Sequence, residues 1–447
     1  MPVELILHNA KLYVKGQIME AGLAIENGKI VKIAKETQLP QASKKINLHG
    51  HLVLPGLIDA HVHLRDQKLA YKEDFYTGTT AAAAGGVTLV IDMPNNEPIT
   101  MDSAALKKRM KLAENRIVCN VAFFSAFPKN LAKISEIVEL GAVAFKLYLI
   151  RQIGGINIDN DEALLEAFKE AKENNALVAV HAEDKAYVET IQKSLKRKGQ
   201  RDIDAFLEAH SVFAEKIAVE RVLRLVEKTR AHVHFCHVSS KEGLEIIVKA
   251  KEAGFPITCE VTPHHLFLSA NYLKKHGLKF LTDPPLREEK DVEALWNALK
   301  LGQIDIIASD HAPHTIEEKN ADSVWDVKTG VAGLETTLPL LLTSVNEGKL
   351  SLQEMIRLTA EKPAEIFRLK GRGRLEEESY ADLVVVDMHK EHVIDASKFH
   401  SKAKFSPFDG WKVRGEPLKT FVNGELVMDE GEIVAEPGTG KVVFASR

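Results

Sequence analysis

Residues 55–370 alternate short apolar runs with amphipathic stretches, and the spacing leaves few folds open. "VTLVIDMP" precedes a helical pattern at 102–114, "RIVCNVAFF" one at 130–140, and "AVAFKLYL" one at 161–174. "LVAVHAED" precedes a long helical stretch to about 228, and "HVHFCHVSS" one at 241–253. "PITCEVTPHHL" and "IDIIASDHAPH" close the series. Short buried strands alternating with helices imply parallel pairing through crossover helices. Seven or eight such units predict an α/β chain folded as a (β/α)8 TIM barrel over 55–370.

The two ends have another texture. "ELILHNAKLYV" and "GLAIENGKIVKIA" are strand-like, as are "ADLVVVDM" and "LKTFVNGELVMDEGEIV". Asn27-Gly28 and Asn423-Gly424 are strong hairpin signals. Residues 1–54 and 371–447 are therefore expected to form one small composite β-sandwich domain, and 447 residues suffice for both parts.

A formal net charge of -4 gives no sign of a polyanionic partner, so no nucleic acid is expected. The one basic cluster, "KSLKRKGQR", reads as a solvated helix end. Cys119, Cys236 and Cys259 lie far apart in apolar surroundings and read as reduced, buried thiols. The N-terminus has no signal-peptide pattern, and no apolar run reaches the roughly 18 residues of a membrane span. A cytoplasmic protein with no membrane attachment is expected.

The polar residues fall at strand C-termini: His61 and His63, Asp92 and Asn95, Lys146, His181 and Glu183, His237, His264 and His265, then Asp310, His311 and His314. A barrel gathers those ends at one mouth, where its active site lies. Any one of these histidines alone could be a satisfied core group. So many together are costly to bury unless something pairs with them, and a metal centre does so. Residues i and i+2 of a strand share a face, so His61 and His63 can chelate one ion. Nitrogen donors with an aspartate suit Zn2+, although Mn2+, Fe2+ or Co2+ could substitute. His181 and His237 could hold a second ion. Asp310 could bind a metal with one oxygen and accept a proton with the other. Lys146 has two readings that spacing leaves open. Its stem could pack while its head reaches water, or its amine could react with CO2 to give a carbamate that bridges two ions.

"PGLIDAHVHLRD", "DMPNNEP", "AFKLYL", "VHAED", "HVSSKEGLEII", "CEVTPHHLFL", "PPLR", "SDHAPH" and "AGLETTLPLLLT" occur in this order over nearly the whole chain. Together they resemble the dihydroorotases of the cyclic amidohydrolase group, within the metal-dependent amidohydrolase superfamily. The resemblance implies a barrel with a composite β domain and two Zn2+ per subunit. His61, His63 and Asp310 would hold the first ion, and His181 and His237 the second. An N6-carboxylated Lys146 and a hydroxide would bridge them. It further implies reversible ring closure of N-carbamoyl-L-aspartate to (S)-dihydroorotate in pyrimidine biosynthesis, with Asp310 as the proton shuttle. Arg65, Asn95 and His314 match positions that hold the substrate carboxylate, and a homo-oligomer (dimer or tetramer) is expected.

One position departs from the pattern. Asp283 stands where these enzymes usually carry an asparagine that helps hold the ring, and an ionised aspartate can only accept hydrogen bonds. Hydantoinases, dihydropyrimidinases and allantoinases share the metal ligands and form the alternative reading. An inactive scaffold relative would have lost them. Two polar, glycine-bearing stretches near the mouth, "RQIGGINIDN" and "PHTIEEKNADSVWDVKTG", are candidates for a segment that closes over substrate.

Overall fold

The computed structural model describes residues 2–446. Eight parallel strands follow one another around a barrel in chain order: Leu57–Val62, Val87–Asp92, Asn120–Ala126, Ala144–Tyr148, Val178–His181, Val233–Phe235, Ile257–Val261 and Ile306–Ile307. The eighth is only two residues long. A parallel bridge between Val62 and His311, with the His63 N–H donating to the His311 carbonyl at 2.8 Å, joins the last unit to the first. That joint sits beside Asp310, so closing the barrel also brings the two ends of the candidate site together.

The helices form where the apolar spacing and the caps agree. Asp161–Glu173 buries Leu164, Ala167, Phe168 and Ala171 along one stripe, and Asn160 caps its first N–H groups. Ser103–Glu114 and Lys241–Glu252 match the expected helices and are capped by Asp102 and Ser240. The expected helix at 130–140 is shorter, a 3-10 turn at Leu131–Lys133 followed by Ile134–Glu139. The long stretch to 228 divides into three helices, Lys185–Arg197, Ile203–Ala209 and Val212–Thr229. Asp202 and Ser211 stand at the starts of the second and third. The basic cluster at 193–201 lies on the exposed end of the first of these helices.

Strands from both ends of the chain join in one nine-stranded sheet. Leu52–Pro55 pairs antiparallel with Leu383–Val393, Val384 lying opposite Leu54. Both Asn-Gly pairs form the expected turns. Asn27 and Gly28 have φ of 50° and 72°, and Asn423 and Gly424 have 48° and 82°, the double left-handed geometry of a tight hairpin. Asp382 fastens this sheet to the barrel, accepting from the Asn423 N–H at 2.8 Å and from Asn120 Nδ2 at 3.3 Å.

Candidate active site

His61 and His63 leave the first strand on its interior face, while Val62 between them pairs with neighbouring strands. Each imidazole is held from behind. His61 Nδ1 donates to buried Glu260, and His63 Nδ1 donates to Asn95 Oδ1 at 2.7 Å. Glu260 also accepts from His234 Nε2 at 3.0 Å and from the His237 N–H at 3.1 Å, so one carboxylate ties the first strand and the strand Val233–Phe235 to its own strand, Ile257–Val261.

The consequence lies at the other ring nitrogens. His61 Nε2 and His63 Nε2 lie 3.3 and 3.2 Å from Asp310 Oδ1. Burial first, then the Lys146 charge, lowers the pKa of His61; burial and then Arg65 hold His63 well below its usual range. Neutral imidazoles that donate through Nδ1 turn Nε2 lone pairs toward a carboxylate oxygen. Three lone pairs converging at this distance repel unless a cation lies among them. The donor set of two imidazole nitrogens and one carboxylate therefore fits a metal ion, and zinc is compatible with it.

The remaining candidates lie beside this group. Lys146 is fully buried, and its Nζ donates to Cys236 Sγ at 2.9 Å and lies 5.2 Å from the Tyr148 ring centroid. The snorkelling geometry, with the head in water, is therefore not adopted. His237 lies between its neighbours, its ring tilted at 5.2 Å from that of His61 and edge-on at 4.6 Å to that of His181. His181 Nε2 lies 2.8 Å from Glu183 and 4.0 Å from Asp283, so its potential donor set includes those two carboxylates. Asp310 and His237 have φ of 47° and 34°. Non-glycine residues in this region carry roughly 1–3 kcal/mol of strain, which the surrounding packing sustains where a side chain must be aimed.

A cavity of about 410 Å3 opens above these groups. Arg65, Asn95 and His314 all line it, as do Asp283 and Arg151. Arg65, with φ of 53°, donates from Nε to the Pro313 carbonyl at 3.3 Å and from Nη2 to His314 Nε2 at 3.2 Å. Burial and the Arg65 and Lys72 charges push His314 down to about 2. It is thus a neutral ring, accepting from Arg65 at Nε2 and donating from Nδ1 to Glu318 at 2.9 Å. Asn95 spends its carbonyl on His63 and keeps its amide N–H groups for the cavity. Asp283 is compensated from two sides, by Arg151 Nη2 at 3.1 Å and by His210 Nδ1 at 3.4 Å.

The amidohydrolase family model matches residues 52–427. The chain belongs to the amidohydrolase family. It is 38% identical to a dihydroorotase of Methanosarcina acetivorans over 98% of this chain and 95% of that protein. It is also 34% identical to an L-hydantoinase of Paenarthrobacter aurescens, over 98% of each. A solved L-hydantoinase (dihydropyrimidinase) from Arthrobacter aurescens superposes with a TM-score of 0.95 at 34% identity, covering 99% of this chain and 100% of that one. This amidohydrolase is accordingly an enzyme acting on cyclic amides.

Sequence reasoning passed over several groups of this amidohydrolase site. Glu260 stands as a lone acid in an apolar strand, shortly before the paired His264 and His265. Those two belong to the short helix Pro263–Phe267, where His265 Nδ1 meets Thr262 Oγ1 at 2.8 Å and its Nε2 faces the Pro284 carbonyl at 3.3 Å. Tyr148 lines the cavity with its buried hydroxyl unpartnered. His210 bridges Glu183, at 3.1 Å, and Asp283 from a helix C-terminus that carries no motif.

Proposed function

We propose that this amidohydrolase is a dihydroorotase, interconverting N-carbamoyl-L-aspartate and (S)-dihydroorotate with two zinc ions per subunit. The observation that carries this reading is Arg65. A buried guanidinium lines the cavity, its Nη1 has no partner among the described residues, and the metal donors lie on the same strand end. A planar cationic fork suits a substrate carboxylate, an anionic bidentate partner that an uncharged hydantoin ring does not carry.

His61, His63 and Asp310 would hold one ion, and His181 and His237 the other. Lys146, carboxylated by CO2, would lie between them; a buried amine whose one polar partner is a thiol suits that modification. When bound, the ions supply a nucleophilic oxygen at neutral pH and polarise the ring carbonyl. Arg65 Nη1 and the Asn95 amide hold the substrate carboxylate, and His314 acts on it by aiming Arg65. Burial raises the Asp310 pKa, so this carboxylate can take a proton from the attacking water and return it to the leaving ring nitrogen. Tyr148 offers its hydroxyl to the oxygen on which charge develops. Asp283, with its charge offset by Arg151 and His210, accepts from a ring N–H.

The second reading is a hydantoinase, favoured by the likeness to the L-hydantoinase structure. Hydrolysis of dihydroorotate, hydantoin and allantoin by the zinc-loaded enzyme separates the two; turnover of only the latter two would overturn the dihydroorotase assignment. Lys146→Ala is expected to abolish activity, with partial rescue by short-chain carboxylic acids. Full activity of that variant would remove the lysine from the metal site.

A further inference from the structure

The fully buried side chain of Lys319 lies outside the machinery described above. It stands at the end of the short helix Ile316–Lys319. Its Nζ donates to the carbonyls of Leu281 at 3.1 Å, Lys328 at 2.8 Å and Gly330 at 2.7 Å. Three acceptors saturate the three N–H groups of an ammonium. Among the described residues no carboxylate pairs with it. Burial, and then the Arg65 charge, pull its pKa down to about 7, so the ammonium is expensive to keep there. An apolar side chain would fill the same space more cheaply if filling space were the whole task.

The three carbonyls identify what is held. Leu281 lies two residues before Asp283, and Lys328, Thr329 and Gly330 line the cavity. These segments have almost no regular pairing of their own; the Gly330 N–H donates to the Leu281 carbonyl at 2.8 Å and the Lys328 N–H to the Glu318 carbonyl at 3.0 Å. The residue before Lys319 faces the other way. Glu318 receives His314, and Lys72 at 2.7 Å, and so acts on the Arg65 side. One short helix thus reaches both walls of the cavity.

We infer that Lys319 is a positioning residue for substrate, tying the Leu281–Asp283 and Lys328–Gly330 segments into the wall that receives the ring. This rests on the cavity being the cyclic-amide site, as proposed above. The test is steady-state kinetics of the zinc-loaded full chain. Lys319→Met keeps the stem and removes the three donors; it should raise KM about tenfold with kcat nearly unchanged, the signature of lost uniform binding. Lys319→Gln, which keeps two N–H donors, should recover part of that loss. Bound zinc, measured by elemental analysis, should stay at the wild-type level, and amide hydrogen exchange should quicken in 320–330. An unchanged KM in the methionine variant overturns the inference, as does a fall in kcat alone. Equal behaviour of the methionine and glutamine variants also overturns it. Should the methionine variant fail to fold, the KM of the glutamine variant decides. If the wild-type enzyme turns over hydantoin and not dihydroorotate, the dihydroorotase reading fails; the KM for hydantoin then decides the role of Lys319 on its own.

Discussion

His63 Nε2 stands 3.2 Å from Asp310 Oδ1, across the joint that closes the barrel, with its Nδ1 already committed to Asn95. Removing the ion that this geometry calls for should abolish turnover, and zinc with bicarbonate should restore it. Glu260→Ala leaves these nearest donors in place but frees the His61 ring. It should weaken metal affinity about 10- to 100-fold, read from a chelator competition. Unaltered affinity would show that Glu260 does not orient His61.

Arg65→Lys keeps the charge and loses the fork. Because a planar guanidinium matches a carboxylate with two donors, kcat/KM for dihydroorotate should drop about a hundredfold. Any residual activity on uncharged hydantoins should change little. Equal losses on both substrates would mean that Arg65 serves the fold and not the carboxylate.

Asp283 and Arg151 are coupled. Arg151→Ala leaves Asp283 less compensated, and the KM for N-carbamoyl-L-aspartate should rise about fivefold; the Asp283→Asn, Arg151→Ala double variant should recover most of it. A double-variant loss equal to the sum of the two single-variant losses would show that the ion pair at 3.1 Å contributes nothing to binding.

His210 makes stability depend on alkaline pH. Burial alone would lower its pKa, but Glu183 and Asp283 outweigh that and raise it to about 9 from 6.5. A group whose folded pKa is raised stabilises the fold fully below about 6.5 and loses that contribution as pH climbs through about 9. His210→Gln should therefore lower the melting temperature markedly at pH 6 and much less at pH 10, corresponding to about 3 kcal/mol at the acid end. A deficit independent of pH would contradict the charged pair.

The parts of this fold that rest on local pattern were legible before any coordinates. Val87–Asp92 or Asp161–Glu173 can be read from a window of a dozen residues, because burial period and capping chemistry are properties of neighbouring positions. Asn27-Gly28 and Asn423-Gly424 declare their turns for the same reason. The stretch after His181 divides into three helices at the polar run 196–202, which holds Gly199, and at Ser211, so these breaks are local signals too. The eighth strand is marked in the sequence by "IDIIASDHAPH", although only Ile306–Ile307 of that run pairs as a strand.

By itself the sequence determined the barrel, the shared face of His61 and His63, and the residue types available at the mouth. These follow from periodicity and from the rule that parallel strands deliver their C-terminal ends to one side. Only the tertiary structure decided which of those residues meet. Asn95 reaches His63, Glu260 reaches His61, and His314 meets Arg65 from 249 residues away. Lys319 gathers three carbonyls from two segments. Such pairings depend on strand stagger and on where the barrel closes, and no local spacing encodes them.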